Sequence, residues 1–242
     1  MHLAVQQGVD KINSFQADTL LSQEIDLEIN KAIDRFINLK YGKNNIYGKG
    51  FEESQKRVDD LRTVLKSETL KTIYLEPSIN NTFIYRSDPL PTDYRYLIKL
   101  IGVVEYKSTC SSLNSSEQEG LVGFELDKNA LASFKFVQQD DLYTLLADPF
   151  NTTKKTKPLI TIEEDFIKVY TNDIFIIKKL KLTYIKNPAK VSLSLDTSIE
   201  SVDCELAEHT HQEIVDMTIN SILEGISDPR YKTQQLELGK NE

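Results

Sequence analysis

Near Lys71 the spacing of apolar residues changes. Before it, Ile25, Ile29, Ala32, Ile33, Phe36 and Ile37 recur at i, i+4, i+7, i+8, i+11 and i+12, one stripe of a 3.6-residue helix. After it, short runs rich in β-branched and aromatic residues alternate with turn residues. From Glu205 the helical spacing returns, with Leu206, Ile214, Val215, Thr218, Ile219, Ile222 and Leu223 in phase. A chain patterned this way folds as α+β, with helices segregated at its ends, rather than as an alternating α/β protein.

The pattern predicts an N-terminal arm over 1–21, a helical hairpin over 22–70 and a β-domain over 71–204 with a loop at 108–120. A C-terminal helix over 205–226 and a tail over 227–242 follow. Ser22 is placed to cap the first helix, Glu24 and Asp26 suit its positive end, and Gly42 stops it. A second helix is expected around Glu52–Leu65, its narrow face carrying Val58, Leu61 and Leu65. Candidate strands are Thr72–Glu76, Thr82–Arg86, Leu97–Lys107, Leu121–Leu126, Ser133–Gln138, Leu159–Glu163, Phe166–Thr171, Ile174–Lys186 and Val191–Leu195. Most are too close together for a helical crossover, so the sheet should be mainly antiparallel and sandwich-like. The loop Ser108–Gly120 holds five serines and reads as a surface loop. A short helix from Asp140/Asp141 should bury Leu142, Leu145 and Leu146 and stop before Asp148-Pro149.

At 242 residues the chain can bury a core without metal or disulfide staples. Its two cysteines, Cys110 and Cys204, make no disulfide framework, which suits a reducing compartment. Met1–Gln7 lacks the basic start of a signal peptide. No window approaches 18 apolar residues, so no membrane span is expected. The net charge of −8 argues against nonspecific nucleic-acid binding, which requires Lys and Arg opposite phosphates.

Motifs for chemistry are sparse. The sequence contains no G-x-S-x-G, P-loop, G-x-G-x-x-G or H-E-x-x-H. The densest spot is Cys204–Glu213, where Cys204, His209 and His211 would be the centre of a metal-dependent hydrolase or binding module. Against that, on a helix at ~100° per residue the two rings point about 200° apart. Glu205/His209, Glu208/His211 and His209/Glu213 then read as surface pairs. Asp140-Asp141 and Glu163-Glu164-Asp165 read as a helix cap and a hairpin turn rather than as glycosidase carboxyls. Cys110 has no nearby base to form a thiolate, His2 is near a terminus, and Lys154, Lys155 and Lys157 read as a solvated loop. The expectation is therefore no catalytic residue, no metal site and no cofactor.

Three stretches carry a resemblance. They are Glu24–Ala32 through Arg35-Phe36-Ile37 and Tyr41-Gly42; Leu90–Leu97 with Gln139–Leu146 and Asp148–Asn151; and Leu182–Pro188 leading to Cys204–Asp216. In this order they are similar to the ring proteins in the head–tail connector of crAss-like phages, short-tailed phages of gut bacteria. Related proteins often have Pro where this chain has Ala207, a swap suited to the start of a helix. The resemblance implies a structural virion protein, not an enzyme, made in the bacterial host cytoplasm and residing in the tail or neck. It further implies a closed ring, a dodecamer matching the portal. The partners would be the portal protein and other connector rings, with DNA passing through unbound and no membrane contact.

Overall fold

A computed structural model describes residues 1–12, 20–42, 51–77, 82–106, 129–172, 175–194 and 200–225. The serine-rich loop, the expected strand Leu121–Leu126 and the tail lie outside these residues. The chain forms two compact units, Met1–Leu65 with Asn187–Glu242, and Lys66–Lys186.

The first unit is helical. It contains α1 (His2–Ile12), α2 (Ser22–Tyr41), α3 (Gln55–Leu61) and α5 (His211–Gly225). The whole expected stripe of α2 is buried, and Lys40 is buried with it. The helix starts differently from the expectation. Leu21 stands at the cap position, and its N–H donates to the Glu24 carboxylate at 3.0 Å. Ser22 is in the first turn, with its hydroxyl unpartnered. At the other end the Gly42 N–H reaches the Asn38 carbonyl at 2.9 Å.

Three further differences have local causes. Residues 2–12, expected as an unpatterned arm, form α1. Among its described side chains only Val5 and Val9 are buried, too few to mark a helix by spacing. Gly8 lets α1 lie close against α5, since a Cβ there would meet the Ile219 side chain. The expected helix Glu52–Leu65 shrinks to α3, flanked by 3-10 turns at Phe51–Glu53 and Arg62–Val64. Two turns of helix cannot run back along the 20 residues of α2. The helix expected from Glu205 begins at His211, because Thr210 turns back on Ala207 through its N–H and its hydroxyl, at 2.9 and 2.7 Å. That bond closes a 3-10 turn over Glu208–Thr210.

Val191–Leu195 is not a strand in its described part. The Asn30 side chain takes both backbone groups of Val191, at 2.8 and 2.9 Å, and Asp26 accepts from the Leu193 N–H. One bridge, Ser192 to Val202, remains. The polar face of α2 thus satisfies backbone groups that a neighbouring strand would otherwise have paired.

The second unit is a sheet with one helix. Its elements are β1 (Leu65–Pro77), β2 (Thr82–Ser87), β3 (Tyr94–Tyr106), β4 (Asn129–Ser133), β5 (Lys135–Phe136), α4 (Gln139–Ala147), β6 (Leu159–Glu163), β7 (Phe166–Asn172) and β8 (Phe175–Lys186). The order is β4-β3-β8-β1-β2-β7-β6-β5. The described registers are antiparallel except β5 with β6. Only Phe134 separates β4 from β5. Its N–H bonds to Leu100 of β3, whereas the N–H groups of Lys135 and Val137 bond to Pro158 and to Ile160 of β6. One bent segment thus joins the two ends of the order, and the sheet closes on itself.

Closure makes both halves share one core. Leu70, Leu100, Val104, Ala132, Ile160, Ile167, Val169, Phe175, Ile177, Leu180, Leu182 and Tyr184 pack there. The α+β class with a mainly antiparallel sheet, read from the change of period, is the class observed. Where β3 and β4 bend together, Gly102 has no room for a side chain: a Cβ would lie 2.6 Å from the Phe134 ring and 2.9 Å from the Lys179 carbonyl. A smaller core of Val137, Leu142, Leu159 and Tyr170 holds α4 against β6 and β7. Those strands bury residues on both faces.

The turn between β6 and β7 is Glu164-Asp165, with Glu164 at φ 51°. That left-handed conformation costs a residue with a Cβ about 1 kcal/mol more than glycine. Glu164→Gly should therefore raise stability by up to ~1 kcal/mol, seen as a higher urea midpoint at unchanged slope. A lower midpoint would show that the Glu164 side chain contributes more than the strain.

Candidate functional site

Lys40 lies on the apolar stripe of α2, four residues beyond Phe36, and is 3% exposed. Its ammonium is 2.7 Å from Glu213 Oε1 on α5 and 3.7 Å from Asp60 Oδ2 on α3. It also lies 5.0 Å from the centre of the Phe36 ring. Asp60 is 1% exposed and its Oδ1 is 3.0 Å from His209 Nε2. Arg57, also buried, points Nη1 at the carbonyls of Lys40 and Gly42, at 3.5 and 3.4 Å. This places positive charge at the C-terminal end of α2, where the helix dipole favours it. The cluster therefore ties α2, α3, α5 and the 208–210 turn together by charge.

Of this cluster the sequence reading singled out only His209 and Glu213. Even so, a lysine in phase with Ile29, Ile33 and Phe36 is a legible signal. A cation on an apolar stripe needs a carboxylate brought to it from elsewhere. The expected pairs within 205–213 do not form, because that stretch is not one helix. Glu205 accepts the Ala189 N–H at 3.2 Å, Glu213 takes Lys40, and His209 takes Asp60.

Cys204 and His211 border a cleft of about 280 Å³, together with His2, Val191, Leu193, Val202 and Asp203. Within it, His211 Nε2 is 3.0 Å from the Leu206 carbonyl, and His2 Nε2 is 2.6 Å from Asp26. Burial pushes the Cys204 thiol up, with Glu205 and Asp203 adding to the effect. A thiol held protonated is a poor nucleophile and a poor metal ligand. His209 faces Asp60 instead of this cleft. Among the described residues no three His, Cys, Asp or Glu side chains are placed to hold a metal ion.

The other singled-out residues serve the fold. Asp140 and Asp141 sit in the first turn of α4, after Gln138 at the cap position. Glu163 accepts from Lys168 and Gln139, at 2.6 and 2.7 Å, which hold its carboxyl below the usual range. Glu164 and Asp165 make the hairpin turn. Lys154 and Lys157 face each other in a single bridge of the loop before β6. Cys110 lies outside the described residues. No helix among the described residues is long and apolar enough to cross a membrane.

Among the described residues, these polar side chains cap helices, close turns and lock elements together. The family model of crAss phage tail ring protein 3/4 matches residues 10–234, and the chain belongs to this family. It is a structural protein of the phage tail that assembles as a ring with other tail proteins. No curated protein matches the sequence significantly.

Proposed function

We propose that the chain forms a closed ring in the portal–tail connector of a short-tailed bacteriophage, around the channel through which DNA passes. The observation that carries this reading is the family match over residues 10–234. In this reading the ring is a dodecamer matching the portal, is not an enzyme and uses no cofactor. It is made in the host cytoplasm before joining the virion. Its partners are copies of itself, the portal and the adjoining rings. The serine-rich loop over 108–120 and the tail over 227–242 supply contacts to those neighbours.

The acidic balance supports the channel. Every phosphate opposed by Lys or Arg adds salt-dependent affinity, which would act as friction on a sliding genome. A net charge of −8 per subunit repels DNA from the wall. Lys154, Lys155 and Lys157 then face an acidic neighbour. Native mass measurement of the purified protein should give a discrete species of about twelve subunits. At low salt that species should leave duplex DNA unbound. A stable monomer would overturn the ring, and micromolar DNA binding abolished by neutralising the three lysines would overturn the repelling channel.

A further inference from the structure

The two units differ in charge. The helical unit has 13 basic and 21 acidic residues, and the sheet unit has 16 of each. The whole excess of negative charge therefore belongs to the helical unit. It is concentrated in residues 191–229, which carry nine carboxylates and no Lys or Arg. Glu200, Asp203 and Glu208 of this stretch are exposed, and Leu193 and Val202 among them are 41% and 37% exposed.

The neutral sheet unit gathers cations on one surface. Strand alternation puts Lys99 of β3 and Lys179 and Lys181 of β8 on the face opposite buried Leu100, Leu180 and Leu182. The register sets Lys99 beside Thr183, Lys181 beside Ile101 and Lys179 beside Val103. Val103 in turn pairs with Leu131 of β4, which is 77% exposed. All three lysines are exposed, and among the described residues they form no ion pair. Lys178, by contrast, is held by Glu105 at 2.7 Å.

We propose that this lysine face docks on the acidic surface of a second copy, with Lys99, Lys179 and Lys181 opposite Glu200, Asp203 and Glu208. Leu131 then packs beside Leu193 and Val202. The proposal rests on the ring reading and assigns it an interface. Two such faces cannot pair with each other, because their lysines repel, so each has to meet the acidic surface of another copy. A head-to-tail contact between two different, complementary patches is what builds a ring. Charges carried on regular strands also keep their spacing, which suits them to fixing subunit register.

The test is charge reversal in the full-length protein, read by native mass and sedimentation. K99E/K179E/K181E should stay folded by circular dichroism and thermal melting, and should weaken self-association by about tenfold or more. E200K/D203K/E208K should do the same. Mixing the two variants should restore assembly, since each then supplies the face that the other lacks. Combining all six substitutions in one chain should restore it as well. If wild-type protein forms rings and the lysine variant forms them equally well, this interface is wrong and the ring reading stands. If wild-type protein remains monomeric at micromolar concentration, the ring reading fails and takes the interface with it. Salt-sensitive binding of duplex DNA by the wild type, lost in the lysine variant, would make this face a nucleic-acid surface and overturn the proposal.

Discussion

Lys40→Met should destabilise the helical unit by about 3–5 kcal/mol, the usual cost of removing one partner from a buried ion pair. Methionine preserves the length and the packing of the lysine stem, so the loss would isolate the charge. What remains is Asp60, 1% exposed, with one oxygen near His209 and the other accepting no hydrogen bond. Glu213, partly exposed, turns to solvent at lower cost. A carboxylate left buried without its cation is the source of the penalty. Lys40→Met with Asp60→Asn should therefore recover much of the loss, although it changes one more residue. Denaturant unfolding of the three proteins provides the measurement. A loss below 1 kcal/mol in the single variant would mean that the pair contributes little and that α2 is held by its apolar stripe alone.

Tyr184 should give an effect of the same size in the sheet unit. It is fully buried, and its hydroxyl donates to Asp93 Oδ1 at 2.9 Å. Tyr184→Ala removes a ring from the shared core and should cost about 3–5 kcal/mol. Tyr184→Phe keeps the ring and should cost about 1 kcal/mol. The two variants differ further with pH. Burial, and then the hydrogen bond to Asp93, raises the Tyr184 phenol well above its usual value of 10.0. A group raised in the folded state contributes stability that is complete below its unfolded pKa and lost as pH climbs past it. Wild-type stability should therefore fall above about pH 10 more steeply than that of Tyr184→Phe, which has no proton to lose there. Asp93 works in the opposite direction. Lys66 at 2.7 Å holds its carboxyl below the usual 3.8, helped by Tyr184. Its contribution is present above that value and fades as pH falls below it. Parallel alkaline limbs for wild type and Tyr184→Phe would show that the phenol does not couple to folding.

The sequence was most legible where one element supplies its own pattern. The stripe of α2 needed no partner to be seen, and β6, β7 and β8 appear within a residue or so of their expected positions. Legibility was lost where another element supplies the reason for a structure. With Val5 and Val9 the only buried residues among its described side chains, α1 depends on what packs against it. The strand expected at Val191–Leu195 gave way to the side chains of Asn30 and Asp26, more than 160 residues away. The N-terminal half of β1, Leu65–Thr69, is exposed throughout, so burial left no mark on its sequence. In the candidate site, His209 and Glu213 stood out because they cluster in sequence. Asp60 and Arg57 did not, since their neighbours come from distant positions. The signal that leads to them, Lys40 out of place on its stripe, went unread.

The segment that carries β4 into β5 has a consequence for assembly. An open sheet would present a full row of unpaired N–H and C=O groups at each side, and such rows pair with any strand they meet. In a phage tail, many copies are held at very high local concentration, the condition under which strands of different subunits would fuse into continuous sheets. Where the ends of this sheet meet, one bent segment takes up that backbone, with the Phe134 N–H on Leu100 and those of Lys135 and Val137 on Pro158 and Ile160. There, recognition between subunits falls to side chains, whose charge and shape distinguish one face of a ring from the other. Backbone pairing makes no such distinction.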